Sequence, residues 1–127
     1  MADVLIDTSA WIAALRGDDE RVKRAVDGLL ENDRAIMCGV VEMELIHGVR
    51  PRERKELVSL LSAVAFEEIT REDYRSAGEL LGDLRMKGTS IPSTDALIAT
   101  ICLRAGLSLL TLDKHFQRIP GLRRLNP

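Results

Sequence analysis

Aromatic side chains are scarce in this chain of 127 residues, where they make up 3% of the composition. A protein that binds single-stranded nucleic acid by stacking bases on aromatic rings needs more of them, so that class is disfavoured. The sequence also lacks a Gly-rich phosphate loop of the G-x-x-x-x-G-K-S/T kind, which argues against a nucleoside triphosphatase. Any catalytic or binding residues must therefore belong to another kind of site.

Cysteine and histidine are equally rare. Cys38 and Cys102 are far apart and form no C-x-x-C pair, so we expect buried thiols rather than a disulfide or a zinc site. His47 and His115 have no partner at ligand spacing and are interpreted as surface residues. There is no signal segment and no apolar run of membrane-spanning length, so we expect a cytosolic protein without membrane contact.

The composition is otherwise that of a folded protein, with 46% hydrophobic and 30% charged residues. At this length we expect a single domain over residues 1–127. The net charge is −2, but 14 of the 18 basic residues are Arg. Arg binds phosphate bidentately, although a coding bias explains the excess equally well. If the protein binds RNA, a local patch of Arg residues must make the contact, because the net negative charge of the protein weakly repels RNA.

Short apolar runs alternate with helical stripes along the chain. We predict strands at 3–7, 35–38, 66–69 and 107–112, with a last edge strand at 122–125. Strands that alternate with helices indicate a three-layer α/β/α fold around a mainly parallel sheet of about five strands. In such sheets ligands bind at the carboxyl ends of the strands, near the point where the strand order reverses.

Several helix boundaries can also be predicted. Asp18-Asp19-Glu20 opens the second helix, and Pro51 suits the first position of a helix that runs to about Val64. Thr70 with Asp73 is typical of an N-terminal cap, for a helix that ends near Gly88. Ser93 is expected to cap a further helix, which stops at Gly106.

Acidic residues recur where these strands end. Asp7 follows the apolar run VLI, and Asp113 follows LSLLTL. Each is also a good candidate for a simple helix N-cap. Asp95 falls in the first turn of a helix that is apolar on most sides, where the helix dipole favours an anion. Burial of that helix would bring Asp95 towards Asp7.

Glu44 is the most informative acid. In VVEMELIHG it lies within the apolar stripe that contains Val41, Leu45 and Gly48, whereas Glu42 falls outside it and is expected to be solvated. A carboxylate on an inward face is costly unless it is neutralised, either by an Arg or by a metal ion.

Four acids gathered at one edge of a sheet would repel one another, and a divalent cation would relieve that repulsion. Oxygen ligands without His or Cys favour Mg²⁺ or Mn²⁺ over zinc. Such sites serve phosphoryl transfer, in which the metal activates water and stabilises charged oxygens.

Four motifs in this order, VLIDTSAW, VVEMELIHG, SIPSTDALIATICLRAG and LLTLDKHF, resemble a PIN-domain nuclease, and specifically the VapC toxins of type II toxin–antitoxin pairs. The resemblance covers essentially the whole chain. Carried over residue by residue, it places the catalytic and metal-binding acids at Asp7, Glu44, Asp95 and Asp113, the last being the most variable position in the family. Ser9 and Thr111 match the hydroxyl residues that orient carboxylates or metal-bound waters.

The resemblance implies Mg²⁺- or Mn²⁺-dependent endonucleolytic cleavage of RNA, with structured RNAs such as tRNA or rRNA as targets. It also implies a VapB-type antitoxin whose C-terminal segment occludes the site. A homodimer that assembles further with the antitoxin is expected as well.

Other functions remain open at this point. A solitary RNA-processing PIN nuclease would carry the same acids, and a non-catalytic binding module would use them as caps and ion pairs. A haloacid-dehalogenase fold requires a second Asp where Ser9 stands, and a receiver domain has no need of an inward Glu44.

Overall fold

A computed structural model describes residues 2–127 as short strands that alternate with helices. The strands are β1 (Val4–Ile6), β2 (Ala35–Met37), β3 (Ala65–Phe66) and β4 (Ser108–Leu110). The helices are α1 (Thr8–Arg16), α2 (Glu20–Glu31), α3 (Gly39–Gly48), α4 (Arg54–Leu61), α5 (Arg71–Met86) and α6 (Ser93–Ala105). Short 3₁₀ turns cover Pro51–Glu53 and Lys114–Arg118.

The strands form one parallel sheet in the order β3-β2-β1-β4. All three residues of β1 are buried, because this strand has neighbours on both sides and is covered on both faces. Strands β2 and β3 are added in turn on one side of β1, and β4 is then added on the other side of β1. Right-handed crossovers then place helices on both faces, as predicted from the sequence.

The predicted count of about five strands is slightly too high. The sheet has four strands within residues 2–127, and the segment 122–125 contributes only an isolated parallel bridge between Leu109 and Arg124. Pro120 has no amide to donate and Gly121 adopts a φ of 78°, so the chain turns directly before this segment.

The predicted boundaries of three elements also shift. Pro51 opens a 3₁₀ turn rather than the α-helix itself, which ends at Leu61 instead of Val64. The weak strand predicted at 66–69 has only two residues, Ala65–Phe66, so it begins one residue earlier and ends three residues earlier than predicted. Pro92, not Ser93, is the N-cap of α6, because the fixed backbone of proline suits the extended cap conformation.

The strands predicted at 3–7, 35–38 and 107–112 are each shorter, at Val4–Ile6, Ala35–Met37 and Ser108–Leu110. The other predicted helix boundaries are confirmed. Asp19 caps α2 by accepting hydrogen bonds from two backbone amides, and Thr70 forms a capping box with Asp73 at the start of α5. Gly106 ends α6 in the left-handed conformation, with φ of 69°.

The core lies between the sheet and its helices. The largest fully buried side chains are Trp11, Phe116, Leu5, Ile6, Met37, Leu61, Ile98, Ile101, Leu109 and Leu110. Helix α6 is buried on most of its sides, as its apolar pattern predicted, and this includes Asp95. No helix within residues 2–127 is long and apolar enough to cross a membrane.

Candidate active site

The candidate site lies at the carboxyl edge of the sheet, between β1 and β4. These two strands are neighbours in space, but they stand first and last in the chain order, so the strand order reverses between them. Asp7 directly follows β1, and Thr111 directly follows β4. This is the position at which ligands bind in open α/β sheets.

Asp7 occupies the N-cap position of α1, but its side chain makes no capping hydrogen bond. Instead, its Oδ2 accepts hydrogen bonds of 2.8 Å from the hydroxyls of both Ser9 and Thr111. The carboxylate is only 5% exposed. Within residues 2–127 no side-chain hydrogen bond reaches the other oxygen, Oδ1. Helix capping therefore does not explain this carboxylate.

The two hydroxyl groups are themselves held in place by backbone amides. The amide of Leu112 donates to Ser9 Oγ, and the amide of Asp113 donates to Thr111 Oγ1, both at 3.0 Å. Each hydroxyl has one proton, which it gives to Asp7. The segment after β4 thus fixes the rotamer of an acid that follows β1.

Asp95 and Asp113 come together with a third side chain. His115 Nδ1 lies 3.1 Å from Asp95 Oδ2 and 3.0 Å from Asp113 Oδ1. The three side chains offer ligand atoms within 4.8 Å of one another, so they could share one metal ion. Asp113 also caps the following 3₁₀ turn by accepting from the His115 amide at 3.0 Å. Its expected capping role therefore coexists with its place in the cluster.

The carboxyl of Asp95 is in an unfavourable environment for a negative charge. Burial raises its pKa from 3.8 to about 6, and the charges of Asp7 and Asp113 add to the rise. The hydrogen bond with His115 acts in the opposite direction. Asp7 is not a member of the 4.8 Å group, but Thr111 links it to the same segment, since its hydroxyl donates to Asp7 and accepts from the Asp113 amide.

Glu44 lies further out. It is half-buried on α3, and its Oε1 accepts a hydrogen bond of 2.9 Å from the hydroxyl of Thr8, the residue after Asp7. Burial raises the pKa of the Cys38 thiol, and the charges of Asp7 and Glu44 raise it further. Glu44 does not belong to the group of ligand atoms formed by Asp95, Asp113 and His115. Glu42 is also half-buried, not fully solvated as predicted.

The interpretation of His115 as an isolated surface residue is wrong. Its side chain is 44% exposed, but its ring contacts two of the predicted acids. The spacing of Asp113 and His115 could have indicated their contact, because the backbone amide two positions after an N-cap residue donates to the side chain of that residue. Its contact with Asp95 spans 20 positions and has no local signature.

Comparison with known proteins agrees with this geometry. Residues 4–122 match the PIN domain family. The chain belongs to the PIN-domain family. The resemblance inferred from the four sequence motifs is thereby confirmed.

Relatives of this PIN domain carry the VapC name. Ribonuclease VapC10 of Mycobacterium tuberculosis (strain H37Rv) is 34% identical over 124 residues, which cover 94% of this chain and 90% of the relative. Ribonuclease VapC2 of Rickettsia felis is 27% identical over 124 residues, covering 93% and 92%.

Solved structures share the fold along the whole chain. The Rickettsia felis VapBC2 structure, bound to a DNA fragment from its promoter, gives a TM-score of 0.82 at 23% identity and covers 98% of both chains. VapBC-1 from nontypeable Haemophilus influenzae gives 0.79 at 26% identity, covering 97% of this PIN domain and 96% of that chain.

Proposed function

We propose that this PIN domain is a divalent-metal-dependent endoribonuclease that hydrolyses RNA phosphodiester bonds. The observation that carries the proposal is the cluster of Asp95 and Asp113 where the strand order reverses, which Thr111 links to an Asp7 held by two hydroxyls rather than used as a cap. The names of the relatives support the choice of RNA as substrate.

The residues fit a divalent cation. Asp95 is buried beside other carboxylates, so its ionised form is penalised until a positive charge arrives. Asp7 keeps Oδ1 available, since both hydroxyl bonds go to Oδ2. We assign Asp7, Asp95 and Asp113 as ligands of Mg²⁺ or Mn²⁺, and Glu44 as a further acid that acts from the rim of the site.

A bound cation would lower the pKa of a water molecule and neutralise charge on the phosphoryl oxygens. The chain supplies the positioning. Ser9 and Thr111 keep the Asp7 carboxylate in one rotamer, so that it need not reorganise when substrate binds. Thr8 holds the half-buried Glu44 beside the start of α1, where it can accept a hydrogen bond from an incoming water.

We further propose that the protein is the toxin of a type II pair with a VapB-type antitoxin. Solved structures of related folds are VapBC complexes, some of them bound to DNA. An antitoxin whose C-terminal segment covers the acids would block the enzyme, and a homodimer would allow assembly on promoter DNA. We infer that the substrate is a structured RNA, such as tRNA or rRNA.

RNA cleavage tests the enzymatic proposal. The purified protein, incubated with tRNA and rRNA, should cut only when Mg²⁺ or Mn²⁺ is present. Asp7→Asn and Asp95→Asn should each lower the rate on the order of 100-fold or more. Asp83→Asn, an exposed acid on α5, is the matched control and should retain the wild-type rate. If Asp7→Asn cleaves RNA at the wild-type rate, the assignment of Asp7 to the active site is refuted.

The toxin role has its own test. Expression should arrest growth, and co-expression of the gene directly upstream should restore it. Growth that is unaffected by expression, in a protein that cleaves RNA in vitro, would favour a solitary processing nuclease.

A further inference from the structure

His115 is fixed against the acids of the candidate site. It follows Asp113 by two residues, and its backbone amide donates to Asp113 Oδ1 at 3.0 Å. That hydrogen bond orients the residue so that Nδ1 faces Asp95 Oδ2 at 3.1 Å and Asp113 Oδ1 at 3.0 Å. The ring nitrogen therefore points into the site rather than into solvent.

Hydrogen bonding accounts for only one of these two contacts. Nδ1 carries at most one proton, so it cannot donate fully to two carboxylates. The contact with Asp95 has hydrogen-bond geometry, whereas the contact with Asp113 is a close approach of 3.0 Å. Nδ1 lies from each of the two oxygens at the spacing of neighbouring ligands, since an octahedron with bonds of roughly 2.1 Å has edges of about 3 Å.

We infer that His115 Nδ1 is a nitrogen ligand to the cation bound by Asp95 and Asp113, and that it makes the site prefer Mn²⁺ to Mg²⁺. The inference rests on the proposed metal-dependent function. Mg²⁺ is bound in proteins by oxygen, whereas imidazole suits transition metals. The neutral ring, with its proton on Nε2, offers the Nδ1 lone pair to the ion.

Pulsed electron paramagnetic resonance of Mn²⁺ bound to the full chain, without RNA, tests this directly. A coordinated imidazole gives a ¹⁴N modulation that a carboxylate cannot give. We expect this signal in the wild type and its loss in His115→Gln, which keeps the backbone amide that donates to the capping Asp113 carboxylate. Mn²⁺ affinity should fall about 10-fold or more in that variant, and Mg²⁺ affinity should change less.

His47→Gln is the matched control, because His47 is exposed on α3 and should not affect the signal. If Mn²⁺ binds the wild type without ¹⁴N modulation, while Asp95→Asn abolishes binding, the ligand role of His115 is overturned and the metal-dependent function stands. If Mn²⁺ does not bind the wild type, or binds Asp95→Asn equally well, the proposed metal site itself fails.

Discussion

At the scale of single residues, the side chain of Thr111 decides how Asp7 is held. Its hydroxyl donates to Asp7 Oδ2 and accepts from the Asp113 amide, so one atom links the acids that follow β1 and β4. Ser9 makes the parallel bond from α1. Two donors on one oxygen leave the other oxygen free for a ligand.

Thr111→Val should therefore slow RNA cleavage about 10- to 100-fold, because Asp7 loses one of its two orienting donors. The cost in stability should be only about 1 kcal/mol. Thr111→Ser, which keeps the hydroxyl, should restore most of the rate. Steady-state cleavage rates and thermal melting of the three proteins provide the measurement.

Thr100→Val serves as a control for that variant, since its buried hydroxyl donates only to the Ala96 carbonyl within α6. Equal loss of activity in the Thr100 and Thr111 variants would mean that the effect is structural. It would then not concern Asp7.

Asp95 makes the stability of the metal-free protein depend on pH. Its pKa is raised to about 6 in the folded state, among Asp7, Asp113 and His115, against an ordinary value of 3.8. Between these values the folded state binds a proton that the unfolded state has released, so stability falls as pH rises through this window. The full difference corresponds to about 3 kcal/mol.

Asp95→Asn should remove the loss of stability that occurs as the pH rises. In chelator-treated buffer its melting temperature should equal or exceed that of the wild type above pH 6.5, and should vary less between pH 4 and pH 7. Asp83→Asn should follow the wild-type curve. A lower melting temperature for Asp95→Asn at pH 7.5 would indicate instead that the carboxylate stabilises the helix start as an ordinary first-turn acid.

Asp7, Asp95 and Asp113 could be found from sequence, because they stand at the end of a strand or in the first turn of a helix. Glu44 could be found because it lies within an apolar stripe of α3. The hydroxyl bonds to Asp7 could not, since Thr111 reaches it only after β4 pairs with β1 across 104 positions. The contact between His115 and Asp95 likewise depends on tertiary packing of α6 against the turn after β4.

At the scale of helices and strands, α5 and α6 are joined by an ion pair between the exposed guanidinium of Arg104 and the buried carboxylate of Asp73. Arg104 on α6 donates from Nε to Asp73 Oδ1 at 2.7 Å and from Nη2 to Oδ2 at 3.0 Å. Asp73 is 1% exposed and also completes the capping box with Thr70. The pairing holds α6, and therefore Asp95, against the rest of the fold.

Burial alone would raise the pKa of Asp73, but the hydrogen bonds from Arg104 and Thr70 outweigh it and hold the pKa below 3.8. The pair therefore contributes stability above pH 3.8, which is lost as the pH falls through the folded-state pKa. Arg104→Ala removes two hydrogen bonds from this buried acid, and because the guanidinium is partly screened by solvent the free energy of unfolding should fall by about 2 kcal/mol.

Arg75→Ala is the comparison for this prediction, because Arg75 pairs with Glu72 on the exposed face of α5. That change should cost no more than about 0.5 kcal/mol. Urea denaturation at pH 7 measures both variants. Similar losses in the two would show that the Arg104 pair is no stronger than a surface contact.

The sequence pattern was sufficient for the capping box of α5 but not for its ion pair. Thr70 and Asp73 stand three positions apart, which is a local motif. Arg104 is 31 positions from Asp73, and nothing in the sequence distinguishes it from the other Arg residues, of which the chain has 14 in all. Both bounds predicted for β3 were wrong, because its two residues are exposed and have no buried pattern to fix the boundaries.

At the scale of the whole molecule, the order β3-β2-β1-β4 assembles the candidate site. The chain crosses back after β3, so the segments that carry Asp7, Asp95 and Asp113 meet although more than 100 positions separate the first from the last. A parallel sheet could be predicted from the alternation of strands and helices. Which strands are neighbours could not, because periodicity has no information on strand order.

The central claim is that these acids form one divalent-metal site, and anomalous diffraction from crystals soaked in Mn²⁺ tests it most directly. We predict an anomalous peak beside Asp95 and Asp113, close to Asp7, that is absent from Asp95→Asn crystals soaked in the same way. Wild-type crystals without a peak at these acids, or a peak that survives in Asp95→Asn, would contradict the claim.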